Sequence, residues 1–197
     1  MTSPRSMNKR VSLTTKAHNI IQKYLAAGDY AIDATVGNGH DTLFLSKQTG
    51  LNGRVFGFDI QQQALDLTLL KLESKQLINT ELFHVNHSKM EQHIPTQYHR
   101  KIKVIMFNLG YLPGSDKSVI TRADSTLLAL NQSITLLAPS GIITITAYPG
   151  HQGGAEETRQ IMQWCNCLPT EQYTFQTIYS SDKKTAPILL IIQKVVT

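Results

Sequence analysis

Two periodicities alternate along the chain. Short unbroken apolar runs, most ending beside a polar residue, are separated by stretches whose apolar residues recur every three or four positions. Unbroken runs suit strands covered on both faces of a sheet, and the wider spacing suits helices with one buried stripe. On that reading Ala17, Ile20, Ile21, Tyr24 and Leu25 share one side of a helix that Gly28 closes. Strands follow at residues 30–34, 54–59, 80–85, 103–108 and 142–148. Helices are expected over 41–48, 61–75, briefly around Lys89, and over 119–137, where Pro139 and Gly141 stop the last of them. A Gly-rich loop over 149–154 then leads into a helix that ends near Leu168 and Pro169.

The end of the chain changes character. Residues 173–179 and 187–195 are β-rich and joined by only 180–186. No helix fits between them, so they should pair antiparallel. An alternating α/β chain closed by such a hairpin predicts the class I methyltransferase architecture: a Rossmann-like, mostly parallel sheet with a C-terminal antiparallel hairpin.

Candidate chemistry concentrates after the first strand. Ala31-Ile32-Asp33-Ala34-Thr35-Val36-Gly37-Asn38-Gly39-His40-Asp41-Thr42 runs from an apolar strand through a Gly-x-Gly turn into a helix, and the second strand ends in Asp59. That combination describes a nucleoside-containing cofactor across the carboxyl ends of parallel strands. A dinucleotide fingerprint would set a third Gly three residues after Gly39, where Thr42 stands. Asp41 at the helix start would repel a pyrophosphate but attract a cation, and Asp33 offers a second carboxylate. S-adenosylmethionine, with its ammonium and sulfonium, matches that polarity. Gly37 and Gly39 are expected to let the backbone approach its methionine part. Asn38 would bond the carboxylate or ribose, and Asp59 would accept from both ribose hydroxyls. Gln61 would reach the ribose or adenine edge, and Asn86 or His87 the adenine. The competing roles are a helix cap for Asp41 and an exposed helix start for Gln61 and His87. A nucleotide-binding dehydrogenase or a nucleoside sensor is the alternative use of the same fold.

Composition narrows the setting. At 197 residues the chain reads as one domain over 12–197 behind a disordered tail, 1–11. No apolar run approaches the ~20 residues of a membrane span, and no signal peptide is evident, so a cytoplasmic location is expected. The net charge of +5 permits an acidic partner such as RNA. Cys165 and Cys167 form a lone C-x-C, too few ligands for a structural metal, and read as two small apolar side chains in a helix. No metal is expected.

The motifs so far, with Gly57-Phe58-Asp59-Ile60-Gln61, Asn108-Leu109-Gly110-Tyr111-Leu112-Pro113-Gly114, Tyr148-Pro149-Gly150-His151-Gln152-Gly153-Gly154-Ala155-Glu156-Glu157 and Ala186-Pro187-Ile188-Leu189, closely resemble those of the MnmM (YtqB) family. The resemblance runs from about residue 12 to the end. It implies an S-adenosylmethionine-dependent methyltransferase acting on the 5-aminomethyl group of wobble uridine (position 34) in the tRNA anticodon stem-loop. An rRNA substrate, which the family's older label suggests, and a small-molecule amine are the alternatives. Asn108-Leu-Gly-Tyr111 is similar to the Asn-Pro-Pro-Tyr motif of amine-directed methyltransferases, so Asn108 would hold the amine hydrogens while Tyr111 stacks on the base. An aminomethyl group is mostly an ammonium at neutral pH and must lose a proton before it attacks. Asp116 and His151, in the loops expected to flank the acceptor, are the candidate proton acceptors. With no appended RNA-binding domain in view, a homodimer is expected to add basic surface.

Overall fold

The computed structural model describes residues 11–110 and 121–195. Seven strands form one sheet: β1 (Tyr30–Asp33), β2 (Arg54–Asp59), β3 (Thr80–His84), β4 (Ile102–Asn108), β5 (Leu137–Ala147), β6 (Tyr173–Tyr179) and β7 (Ile188–Lys194). Their spatial order is β3-β2-β1-β4-β5-β7-β6. β1 to β5 pair in parallel, whereas β7 runs antiparallel to both β5 and β6. This is the sheet and terminal hairpin that the apolar runs predict.

Alternation along each strand sends neighbouring side chains to opposite faces, and each face has its own core. Ala31, Val55, Val104 and Ile142 pack with Leu13, Ala17 and Ile21 of α1 (Leu13–Ile21) and Leu45 of α2 (His40–Thr49). Ile32, Phe56, Ile105 and Ile143 pack on the other face with Met90 of the short α4 (Met90–His93), Leu130 of α5 (Ala123–Leu136) and Ile161 of α6 (Gly154–Asn166). Between β2 and β3 runs α3 (Gln62–Ser74).

Two boundaries differ from the sequence pattern. The first helix stops at Ile21, and turns rather than helix carry the chain to Leu25. β5 begins at Leu137 directly after α5, not at Ile142. Exposed Pro139 and half-buried Ser140, whose φ is +58°, form a bulge there: two residues of β4, from Ile102 to Val104, span Leu137 to Ile142 on β5. Pro tolerates such a place because a bulged residue need not donate to the ladder. Cys165 is buried in α6 as expected, and burial pushes its thiol up to about 12, but Cys167 at the helix end is exposed.

Candidate active site

The sheet reverses its winding direction between β1 and β4, and open α/β sheets bind ligands outside the carboxyl ends of the strands at that point. A cavity of about 440 Å³ lies there, within the range of small-molecule sites. It gathers Gly37, Asn38, Asp41, Asp59, Gln61, His87, Asn108 and His151 from loops far apart in the chain. Asp33 and Gly39 do not line it. Tyr111 and Asp116 lie outside the described residues.

The β1–α2 turn is the most heavily braced wall. Val36 N–H donates to Phe58 O, and Gly37 N–H donates to the Asp59 carboxylate at 2.8 Å. Gln61 N–H bonds the other oxygen of Asp59 at 2.9 Å, where Gln61 caps α3. Each carboxylate oxygen keeps a further lone pair for a ligand hydroxyl. From α3, Lys71 Nζ donates to Asn38 O at 2.7 Å.

Gly39 answers a packing demand. Its φ is +74°, and a Cβ there would lie 2.5 Å from Thr68 Oγ1 and 2.8 Å from Thr68 Cγ2. Absence of a side chain lets α3 close on the start of α2. Gly39→Ala is expected to cost about 2–4 kcal/mol, from left-handed strain plus overpacking. Thr68→Ala in the same chain should recover the overpacking share only. Thermal or urea unfolding of the single and double variants measures this, and full additivity would refute the contact.

The acids divide into two kinds. Asp33 is fully buried beneath the turn and accepts hydrogen bonds from Thr42 Oγ1 at 2.6 Å and Thr35 N–H at 3.1 Å. Burial, with the nearby Asp41 charge, pushes its carboxyl up to about 7. Folded chains therefore keep a proton that unfolded chains release near pH 4, so this group favours folding at low pH and progressively less from about pH 4 to 7. Asp33→Asn should remove this one-proton slope, about 1.4 kcal/mol per pH unit at most, from the difference between variant and parent stability curves. Parallel curves would contradict the assignment.

Asp41, by contrast, lines the cavity while accepting from His18 Nε2 at 2.6 Å. His18 stacks on Phe44 with ring centroids 3.8 Å apart. The sequence reading missed His18, which lies in a helix with no motif and meets Asp41 only through tertiary packing. Tyr148, also lining the cavity, has its phenol pushed up by burial and by the Asp41 charge.

His87 is buried, not an exposed helix start. Its Nδ1 lies 3.1 Å from Ala34 O, which can only accept, so Nδ1 carries the proton. Burial pushes the ring down to about 4, leaving a neutral imidazole at neutral pH. Asn108 ends β4 at the cavity, its N–H bonded to Thr35 Oγ1 at 2.7 Å. Gly110 and Thr121 are tied to each other: Gly110 N–H donates to Thr121 Oγ1 and Thr121 N–H to Gly110 O, both at 2.9 Å. Buried Glu157 of α6 accepts from Thr121 Oγ1 at 2.9 Å and Thr126 Oγ1 at 2.7 Å. Glu157 stood inside a recognised motif without an assigned role. His151 donates through Nδ1 to Gln152 O at 2.8 Å, and its ring lies against Gly110 and Gly154.

The cavity thus has an acidic, backbone-rich half around Asp41 and Asp59 and an amide and aromatic half around Asn108, Tyr148 and His151. The first half fits a cationic adenosyl donor: Asp59 has acceptor capacity for ribose, and the acids favour an ammonium and sulfonium. Among the described residues, no helix is long and apolar enough to cross a membrane.

Known proteins agree. A tRNA (mnm(5)s(2)U34)-methyltransferase, chloroplastic, of Arabidopsis thaliana is 36% identical over 94% of this chain and 70% of its own length. SMU.1697c of Streptococcus mutans, solved in complex with SAH, is 30% identical with TM-score 0.83 over 94% of this chain and 99% of its own. The crystal structure of a "putative rRNA-methylase" from Clostridium thermocellum is 35% identical with TM-score 0.86, covering 99% of this chain and 100% of its own. Fold, cavity and relatives define a class I, S-adenosylmethionine-dependent methyltransferase. Within that class the chain belongs to the family described as "Putative rRNA methylase", whose model matches residues 55–194.

Proposed function

We propose that this enzyme methylates the amine nitrogen of a 5-aminomethyl group on the wobble uridine of tRNA. The observation that carries the reading is the two-part cavity, with an acidic half suited to the donor beside an amide and aromatic half suited to an amine on a planar base. The name of the Arabidopsis relative supports the substrate. Bound S-adenosylmethionine supplies an electrophilic methyl group, whose transfer joins carbon to the amine nitrogen while the C–S electron pair returns to sulfur.

The chain's own residues do the rest. Asp59 holds the ribose hydroxyls, and its bonds to Gly37 and Gln61 fix its orientation. Asp41, braced by His18, holds the ammonium end. Gln61 and neutral His87 flank the nucleoside. Asn38 presents its amide at the turn. Asp33 and Gly39 act one layer below, Asp33 through Thr42 and Gly39 through Thr68. The Asn108 amide oxygen accepts the amine hydrogens, orienting the lone pair, and Tyr111 stacks on the base. His151 or Asp116 takes the proton that the ammonium must lose.

Nucleoside mass spectrometry after incubating purified enzyme and donor with tRNA and rRNA from a deletion strain tests the reading. Conversion of aminomethyluridine in tRNA to its N-methyl form supports it. Methylation of rRNA alone, or of neither, overturns it.

A further inference from the structure

The hairpin tip between β6 and β7 belongs to none of the roles above, yet it stands at the cavity mouth. β7 begins at Ile188, which pairs with Ala147 at the carboxyl end of β5, so the tip lies at the same end of the sheet as the cavity. Thr185 lines that cavity, and its carbonyl lies 2.8 Å from where a Cβ on Gly150 would sit. The tip itself forms a second concavity lined by Tyr179, Ser181, Lys183, Lys184 and Ile188, with Asp182 and Ala186. The tip has a defined turn: Ala186 N–H donates to Lys183 O at 2.9 Å, and Ser180 Oγ donates to Pro187 O at 2.6 Å.

Lys183 and Lys184 are exposed, and among the described residues neither is ion-paired with a carboxylate. Tyr179 is 62% exposed, so much of its ring is open to solvent. Two unpaired ammonium groups and a bare aromatic face form the combination that holds single-stranded nucleic acid, phosphates on the cations and a base on the ring. Asp182 lowers the local charge without reversing it.

We propose that this tip is the docking surface for the RNA strand beside the methylated nucleotide, with Lys183 and Lys184 on backbone phosphates and Tyr179 stacked on a flanking base. The inference rests on an RNA substrate and names the surface that engages it. Binding of a fluorescent synthetic anticodon stem-loop RNA to the full chain, titrated across salt concentration, tests it. Variants are Lys183→Gln with Lys184→Gln, Tyr179→Ala, and a control pair, Lys75→Gln with Lys101→Gln, at the opposite end of the sheet.

The tip lysine pair should weaken binding about tenfold and reduce the slope of log K against log salt by about 1.4, near 0.7 per lost phosphate contact. Tyr179→Ala should weaken binding at least about fivefold. Donor affinity, measured separately, should be unchanged in every variant. An unchanged slope in the tip pair, or an equal loss in the control pair, overturns the docking surface while tRNA methylation by the parent enzyme leaves the function standing. A parent enzyme that neither binds nor methylates RNA overturns both.

Discussion

Asp59→Ala should raise the dissociation constant for S-adenosylmethionine about a hundredfold. The side chain stands at the centre of the donor half: one oxygen takes Gly37 N–H and the other Gln61 N–H, leaving acceptor capacity directed at the cavity. Removing it would delete the two charge-assisted contacts proposed to the ribose, and it unties the glycine turn from β2. Each such contact contributes about 1.5–3 kcal/mol, and about 3 kcal/mol corresponds to two decades in Kd. Isothermal calorimetry measures the effect, with thermal unfolding confirming that the variant folds. Asp59→Asn, which keeps the shape but can accept through only one atom, should fall between. A Kd within twofold of the parent would show that the donor binds elsewhere.

Asn108→Ala should instead lower kcat about 10²- to 10³-fold with donor affinity nearly unchanged. Its backbone is fixed by Thr35 at the end of β4, and the residue lines the cavity. An oriented acceptor of amine hydrogens matters at the moment the lone pair forms a bond, not when the donor binds, and losing one preorganised polar contact carries a cost of this size. Single-turnover kinetics beside calorimetry separates the two quantities. An unimpaired rate would remove Asn108 from the reacting centre, and a lost donor affinity would move it to the other half.

What could be read from the chain followed the range of the interactions involved. β1, its turn and Asp59 are local in sequence, and their spacing alone located the cavity. The hairpin was legible because seven residues leave no room for a helix. The start of β5 was not, because Pro139 and Gly141 signal an interruption and a bulge accommodates one without ending the strand. Thr42 stood out as the residue in place of a third Gly, but its use, donating to buried Asp33, needed the fold. Gly39 was attributed to the cofactor because Gly-x-Gly turns approach ligands, whereas its missing Cβ is demanded by Thr68, 29 positions later. His18 on Asp41 and Glu157 under the 110–121 clamp are pairings of the same distant kind.

The order of strands in the sheet bears on how the chain is assembled. β7, the last of the seven to be synthesised, sits between β5 and β6 and pairs with both. Until it emerges, β5 presents an open row of amides and carbonyls, and β6 has no neighbour to bond. An intermediate in which β7 has not yet paired therefore carries a sticky rim that β7 alone seals, which makes the interval before that pairing the one of greatest exposure to aggregation and to chaperones.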